Sequence, residues 1–248
     1  MSIYSKIAKE VKLNKDSLKP NFEYLRICSY NVHYQAVQDT EDLMRYAHIL
    51  VLQEVGRKNL NYYKQLCNKY NMQHYSIANG MNNQNMLLMV CYDKKYVKNV
   101  YDIQMKYTDV PLRGAIFLNT ITPNGHAYKI CCTHLTQIRG AFGDAKLQTL
   151  GRNKRIIELQ KYFMENPNLI IGDLNIQLHH TNKSQCHQLL NSGGYRHTTS
   201  YDNKKDTTNH KGVRVDHAFY KGIRNILKSV VLSDYVSSDH RPIVQLVE

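Results

Sequence analysis

Strand-sized apolar runs recur along this chain, each followed by polar residues. From Tyr24 onward the clearest are Leu25–Tyr30, Ile49–Leu52, Met86–Tyr92, Ala115–Thr120, Tyr128–Thr133, Leu169–Ile171, Val213–Tyr220, Ser229–Leu232 and Pro242–Leu246. They are rich in Val, Ile, Leu and Tyr, which suit a pleated, half-buried surface. Helix-like stretches lie between some of them: Asp39–Ala47, Leu60–Tyr70 and Leu147–Phe163. The last is the longest, and Leu150, Ile156, Ile157, Leu159 and Phe163 give it an apolar face. Strands and helices intermix with no linker between them. The pattern predicts one α/β domain over residues 21–248 with a large sheet system. Residues 1–20 are polar and basic, with Ile3, Ile7 and Val11 at helical spacing, and are expected to form a lead-in segment on the domain edge.

Composition narrows the class. Hydrophobic residues make up 42% of the 248, enough for a core and too many for wholesale disorder. Lys and Arg number 33 against 20 Asp and Glu, a net charge of +13. Such a surface attracts polyanions, nucleic acid or an anionic lipid head group, although a Lys-rich soluble surface has the same balance. None of the six cysteines forms a Cys-x-x-Cys pair, and Cys28, Cys91, Cys131 and Cys132 sit inside apolar runs. Buried thiols of this kind point to a reducing compartment. There is no apolar signal core at the N-terminus and no run near the roughly 18 residues of a membrane span, so an intracellular location is expected.

Oxygen-bearing side chains stand where the apolar runs end. Asn31 follows Leu25–Tyr30, Glu54 follows Ile49–Leu52, and Asp173 and Asn175 follow Leu169–Ile171. Asp216 interrupts another run, and Asp239 and His240 lie between two more. In open α/β sheets ligands bind beyond the carboxyl ends of strands, so these residues would converge on one cleft. Asn, Asp and Glu oxygens suit a hard divalent cation, and a cation relieves the repulsion of clustered carboxylates. Any one of these residues alone is more often a cap or turn residue.

Taken together, the motifs SYNVH (Ser29–His33), LQEV (Leu52–Val55), THL (Thr133–Leu135), GDLN (Gly172–Asn175), VDHAF (Val215–Phe219) and SDHRPI (Ser238–Ile243) resemble the endonuclease/exonuclease/phosphatase superfamily. The resemblance runs from Arg26 to Val244. It implies a four-layer α/β sandwich: two mostly antiparallel sheets packed face to face, with helices outside. It also implies that Asn31, Glu54 and Asp239 hold Mg²⁺, with Mn²⁺ a possible substitute. Asp173 and Asn175 resemble the pair at the scissile phosphate and attacking water. His240 resembles the catalytic histidine oriented by Asp216. His134 and Arg113 resemble phosphate-binding groups, and His134 also a general acid.

The implied activity is that of a metal-dependent phosphodiesterase, in first place a nuclease on DNA or RNA. An enzyme of a phospholipid or inositol phosphate is the alternative, followed by an inactive binding protein. His134 argues against the apurinic-endonuclease branch, which has Tyr there, and the lack of Trp argues against the 5-phosphatases. The segment Ser192–Arg214, with Tyr195, Arg196, His197, Tyr201, Lys204, Lys205, His210 and Lys211, is expected either to flank the cleft and contact nucleic acid or to be a solvated connector. His179, His180 and His187 are expected at the surface, and a monomer is assumed.

Overall fold

The computed structural model describes residues 24–34, 37–79, 86–105, 113–137, 145–176, 185–198, 208, 213–223, 226–232 and 237–248. The lead-in segment 1–20, His179, His180, Tyr201, Lys204, Lys205, His210 and Lys211 lie outside the described residues. The first half contains β1 (Leu25–Asn31), α1 (Val37–Tyr46), β2 (Ile49–Gly56), α2 (Leu60–Lys69), β3 (Gln73–Ala78), β4 (Met86–Tyr92), β5 (Val97–Met105) and β6 (Arg113–Ile121). The second contains β7 (Ala127–His134), α3 (Ala145–Phe163), β8 (Leu169–Asp173), α4 (Gln185–Ser192), β9 (Arg196–His197), β10 (Asp216–Tyr220), β11 (Ile226–Val231) and β12 (Ile243–Val247).

The strands form two six-stranded sheets, in the orders β11-β12-β1-β2-β4-β3 and β5-β6-β7-β8-β10-β9. Each is antiparallel except for one parallel pair at its centre, β1 with β2 and β7 with β8. A parallel pair needs a crossover, and α1 and α3 supply the two.

Period-two alternation sorts the side chains into layers. Leu25, Ile27, Ile49, Val51, Leu88 and Val90 face Ile116, Leu118, Ile130, Cys132, Leu169 and Ile171 in the core between the sheets. Cys28, Tyr30, Leu50 and Leu52 point the other way, against Leu43 and Tyr46 of α1 and Tyr63 and Leu66 of α2. On the far side Phe117, Cys131, Ile170 and Phe219 meet Leu159 and Tyr162 of α3 and Leu190 of α4. This is the four-layer sandwich. Cys131 and Cys132 fall in different layers, and all six cysteines are buried and free. No described helix is long and apolar enough to cross a membrane.

Two expectations about this architecture need correction. Hydropathy did not reveal β3, β5 or β9, which are edge strands; β3 and β5 keep most side chains at least partly exposed and carry polar residues. The apolar face drawn on α3 is also rotated: Leu150 and Ile157 are exposed, and the buried stripe is Gly151, Lys154, Glu158, Leu159 and Tyr162. A charged pair inside that stripe broke the hydrophobic pattern.

Candidate active site

The two parallel pairs end at the same place. Asn31 closes β1 opposite Gln53 of β2, one residue before Glu54, and His134 closes β7 opposite Asp173, the last residue of β8. Asp216 opens β10 on the other side of Asp173. Asp173 therefore sits between His134 and Asp216 by strand register alone.

Local backbone devices aim these groups. Pairing of β2 with β4 shifts register between Leu52 and Val55, and Glu54 there has φ of 56°. A bulge of this kind redirects a side chain. Gly172 has φ of 146°, and a Cβ there would stand 1.8 Å from the Thr133 carbonyl oxygen, so the close approach of β7 and β8 requires glycine just before Asp173. Of the six described non-glycine residues with positive φ, four are His33, Tyr34, Glu54 and Asn175, all at this site. Such conformations persist where surrounding structure enforces them.

Hydrogen bonds join the sheets here. Asn31 Nδ2 donates to Glu54 Oε1 at 3.2 Å and to Asp173 Oδ2 at 3.1 Å, while its Oδ1 accepts from the His33 amide. Asn31 thus clamps two carboxylates of opposite sheets. His240 Nδ1 lies 2.7 Å from Asp216 Oδ2. Ser238 Oγ donates to the Asn31 carbonyl and accepts from the His240 amide, tying that histidine's loop to β1. Thr208 Oγ1 accepts from the amides of Val215 and Asp216. Asn175 donates its amide to Asp173 Oδ1 and its Nδ2 to the Leu135 carbonyl.

These contacts set the protonation states. Burial would lower the pKa of His240, but Asp216, Asp173 and Asp239 outweigh it and hold the imidazole up at about 10. Asp173 is pushed up to about 7 by burial and by the charge of Asp216, against the pull of His240. His134 goes the other way: burial, Arg113 and His240 lower it well below the ordinary histidine range. At neutral pH His134 is neutral and His240 cationic. Burial lowers Arg113, whose guanidinium donates to Asn79 Oδ1 at 2.7 Å while Glu54, Asp173 and Glu158 oppose the shift. It provides positive charge at the floor of the site.

The buried acidic and histidine groups here can hold a metal ion. Donor atoms of Glu54, His134 and Asp173 all lie within 4.8 Å of one another, as do those of Asp173, Asp216 and His240. The second trio is already occupied by the His240–Asp216 hydrogen bond. Around the first, both His134 nitrogens and Asp239 Oδ1 are buried without a hydrogen-bond partner among the described residues. Native proteins rarely leave such atoms unpaired, and a ligand satisfies them.

The family model for the endonuclease/exonuclease/phosphatase family matches residues 28–240. The chain belongs to that family. Its members are hydrolases of phosphoester bonds and typically depend on a metal, which agrees with the acidic and histidine donors converging here. None of the curated proteins matches. Among solved structures, an endonuclease/exonuclease/phosphatase from Beutenbergia cavernae has a TM-score of 0.68 at 15% identity, covering 91% of this chain and 72% of its own. A mannosyl-6-phosphatase from Bacteroides thetaiotaomicron follows at 0.66 and 14%, covering 90% and 100%. Danio rerio TDP2 complexed with single strand DNA product stands at 0.62 and 15%, covering 92% and 100%. Identities this low establish the fold.

The structure brings Asn31, Glu54, His134, Asp173, Asn175, Asp216, Asp239 and His240 to one site, with Arg113 beneath. Two readings change, one in the Ser192–Arg214 segment and one before it. Tyr195 is buried, stacked on Phe163 and hydrogen-bonded to the Pro167 carbonyl, so it is core and not a platform for bases. His187 is buried beside Phe219 instead of exposed.

Three supporting residues escaped the sequence reading. Ser238 lay inside a quoted motif, and Thr208 had no signal. Glu158 is buried on α3 and accepts from the Thr136 amide at 2.9 Å and from its hydroxyl, while Arg155 donates to the Thr136 carbonyl. It anchors the turn whose Leu135 carbonyl holds Asn175. Its one signal was a carboxylate inside the run Ile156–Leu159.

Proposed function

We propose that this chain is a Mg²⁺-dependent phosphodiesterase of nucleic acid, DNA or RNA, with Mn²⁺ able to replace Mg²⁺. One observation carries the reading. A carboxylate with an elevated pKa, Asp173, stands between a neutral histidine with unpaired nitrogens and a histidine kept cationic by Asp216. That combination suits in-line attack of water on phosphorus, which needs a proton acceptor on one side and charge stabilisation around the phosphoryl oxygens.

Asn31, Glu54 and Asp239 would hold the cation, which when bound supplies positive charge to a phosphoryl or leaving oxygen. Asp173 is suited to accept the proton of the attacking water. Asn175, fastened through one N–H to Leu135, can offer the other to the phosphate. His134 can donate one ring N–H to a phosphoryl oxygen, and Arg113 adds charge from below. The His240 imidazolium can stabilise the developing charge or protonate the leaving oxygen.

The nucleic-acid assignment is supported by the net charge of +13 and by the fold shared with TDP2 complexed with single strand DNA product. It is tested by a substrate panel with Mg²⁺ present or chelated: plasmid DNA, single-stranded DNA, RNA, mannose 6-phosphate, sphingomyelin and phosphoinositides. Cleavage of a nucleic acid only when Mg²⁺ is present is expected. Turnover of a sugar phosphate or lipid with nucleic acids left intact would reject the nuclease assignment and retain the phosphoesterase.

A further inference from the structure

Arg113 is buried beneath the site, and a guanidinium taken out of water needs fixed partners. Three carboxylates, Glu158, Glu54 and Asp173, act on it through charge, and its own charge acts on His134. Its side-chain hydrogen bond among the described residues goes to none of them. Arg113 Nη1 donates to Asn79 Oδ1 at 2.7 Å, and Nε has no partner among the described residues. A neutral amide thus holds this cation while acids stand near it.

The placement of Asn79 is built. It is buried directly after β3, an edge strand of the first sheet, whereas Arg113 opens β6 of the second. Their bond therefore crosses from one sheet to the other. The Asn79 amide donates to the Met86 carbonyl at 3.0 Å and continues the pairing of Ala78 with Leu87 by one step. Asn79 Nδ2 donates to the Gly114 carbonyl at 3.4 Å, and Thr133 Oγ1 donates to the same oxygen at 3.3 Å. This close approach requires glycine at 114, where a Cβ would stand 2.7 Å from the Ile103 carbonyl oxygen and 2.8 Å from Ile77 Cδ1. The two partners also fix which way the side-chain amide faces, because only its oxygen can accept from a guanidinium.

We propose that Asn79 is a positioning residue for phosphate: it holds the Arg113 guanidinium off Glu54 and Asp173, so that its positive charge is left for the phosphoryl oxygens. The inference rests on the phosphate-binding role proposed for Arg113 and deepens it. A guanidinium pairs with a carboxylate through two parallel hydrogen bonds, and such a pair cancels the charge of both groups. The Asn79 oxygen accepts without cancelling. The carboxylates stay free for the cation and the proton, and Arg113 stays free for the substrate.

The test is a double-mutant cycle on phosphate affinity. Wild type, Asn79→Ala, Arg113→Gln and the double variant are titrated with inorganic phosphate in the presence of Mg²⁺ by calorimetry, which needs no turnover. Asn79→Ser is carried in parallel and serves if the alanine variant does not fold. Its hydroxyl leaves a polar group in the buried position but is too short to reach the guanidinium. Hydrolysis of bis(p-nitrophenyl) phosphate, a small chromogenic diester, is followed separately.

Expected for Asn79→Ala or Asn79→Ser is a roughly tenfold loss of phosphate affinity, the effect of one hydrogen bond to a charged group. Arg113→Gln should lose at least as much, and adding the Asn79 substitution to it should cost less than about twofold more. An Asn79 that acted only through packing would weaken phosphate binding by the same factor in both backgrounds. That result would overturn the proposal, as would unchanged affinity in the Asn79 variants or in Arg113→Gln, or an absence of phosphate binding by wild type. If the diester were still hydrolysed in Mg²⁺, the phosphoesterase reading would stand. No hydrolysis by wild type, with the phosphate cycle as expected, would overturn that reading and leave the Asn79–Arg113 assignment in place.

Discussion

The two sheets contribute unlike halves to one site. Side chains on the β1–β2 side reach solvent at its mouth, where His33 is 49% exposed and Asp239 38%, while Glu54 at 11% and the buried Asn31 lie deeper. Those on the β7–β8–β10 side are sealed, with His134 at 2%, Asp173 at 3% and Asp216 at 1%. The difference matches the roles proposed for the two halves. A cation arrives hydrated and exchanges with solvent, so its donors gain from access. Groups that move protons need shifted pKa values, and burial beside charge produces those shifts. Asn31 and His240 couple the halves, the first by bonding to both carboxylates and the second by reaching across to Asp216. The site is thus one chemical unit made from two environments.

If this division is right, damage to the sealed half cannot be repaired by added metal. Asp173→Asn and His240→Ala should each lower kcat by roughly 10²–10⁴-fold at saturating Mg²⁺, the usual range for loss of an acid–base group. If the two belong to one catalytic unit, as proposed, the double variant should lose far less than the product of the single losses. Multiplicative losses would show that the two residues act independently.

Damage to the open half should instead be repairable. Glu54→Gln keeps the side-chain size and removes the charge proposed to attract the cation. The Mg²⁺ concentration for half-maximal activity should rise roughly 10- to 100-fold, with much of the rate restored at high Mg²⁺. A loss that no Mg²⁺ concentration restores would place Glu54 with the sealed half and erase the contrast.

A smaller effect sharpens the comparison from behind the sealed half. Glu158→Ala leaves the buried Thr136 amide without its acceptor, costing about 1–3 kcal/mol of stability. It should also loosen the turn that holds Asn175. Misplacement of a positioned group lowers turnover, so kcat should fall by about tenfold while KM changes little. Glu158→Gln keeps an acceptor for the amide and should recover most of the loss. A fall in stability with unchanged kcat would make Glu158 structural only.

In both halves the buried strands and the residues at their ends could be read from sequence further than the edge strands and the supporting groups. Nine strands announced themselves because they are buried on at least one face, and the edge strands β3, β5 and β9 did not because partial exposure dilutes the apolar pattern. Site residues at strand ends were legible because termination of a run and a polar side chain coincide there, as at Asn31 and Asp173. What supports them was not. Whether Glu158 faces water or Thr136 depends on the rotation of α3, which Lys154 and Glu158 themselves disguised. Tyr195 read as a nucleic-acid platform because an aromatic in a polar segment resembles one, and only its stacking on Phe163 tells otherwise. His33 stood in a quoted motif, yet its position over Glu54 depends on two positive φ values that no hydropathy pattern reports.

The last effect is a slope of stability against pH in metal-free protein, read in stability and not in turnover, and it isolates the link between the halves. His240 has a folded pKa of about 10 against an ordinary value of 6.5. The folded state therefore binds this proton more tightly than the unfolded chain. Its contribution is complete below about 6.5 and is lost as pH rises towards 10, with a maximum slope of about 1.4 kcal/mol per pH unit. Asp173, raised from 3.8 to about 7, adds a loss in the same direction but in the window between those values. Urea unfolding in chelator should thus show wild type losing stability on the alkaline side of neutrality, and His240→Gln should flatten that limb above pH 7. Asp173→Asn should flatten the acidic window instead. Parallel curves for wild type and His240→Gln from pH 7 to 9.5 would mean that the Asp216 pairing does not hold the histidine charged, and the contrast between the neutral His134 and the cationic His240 would fail with it.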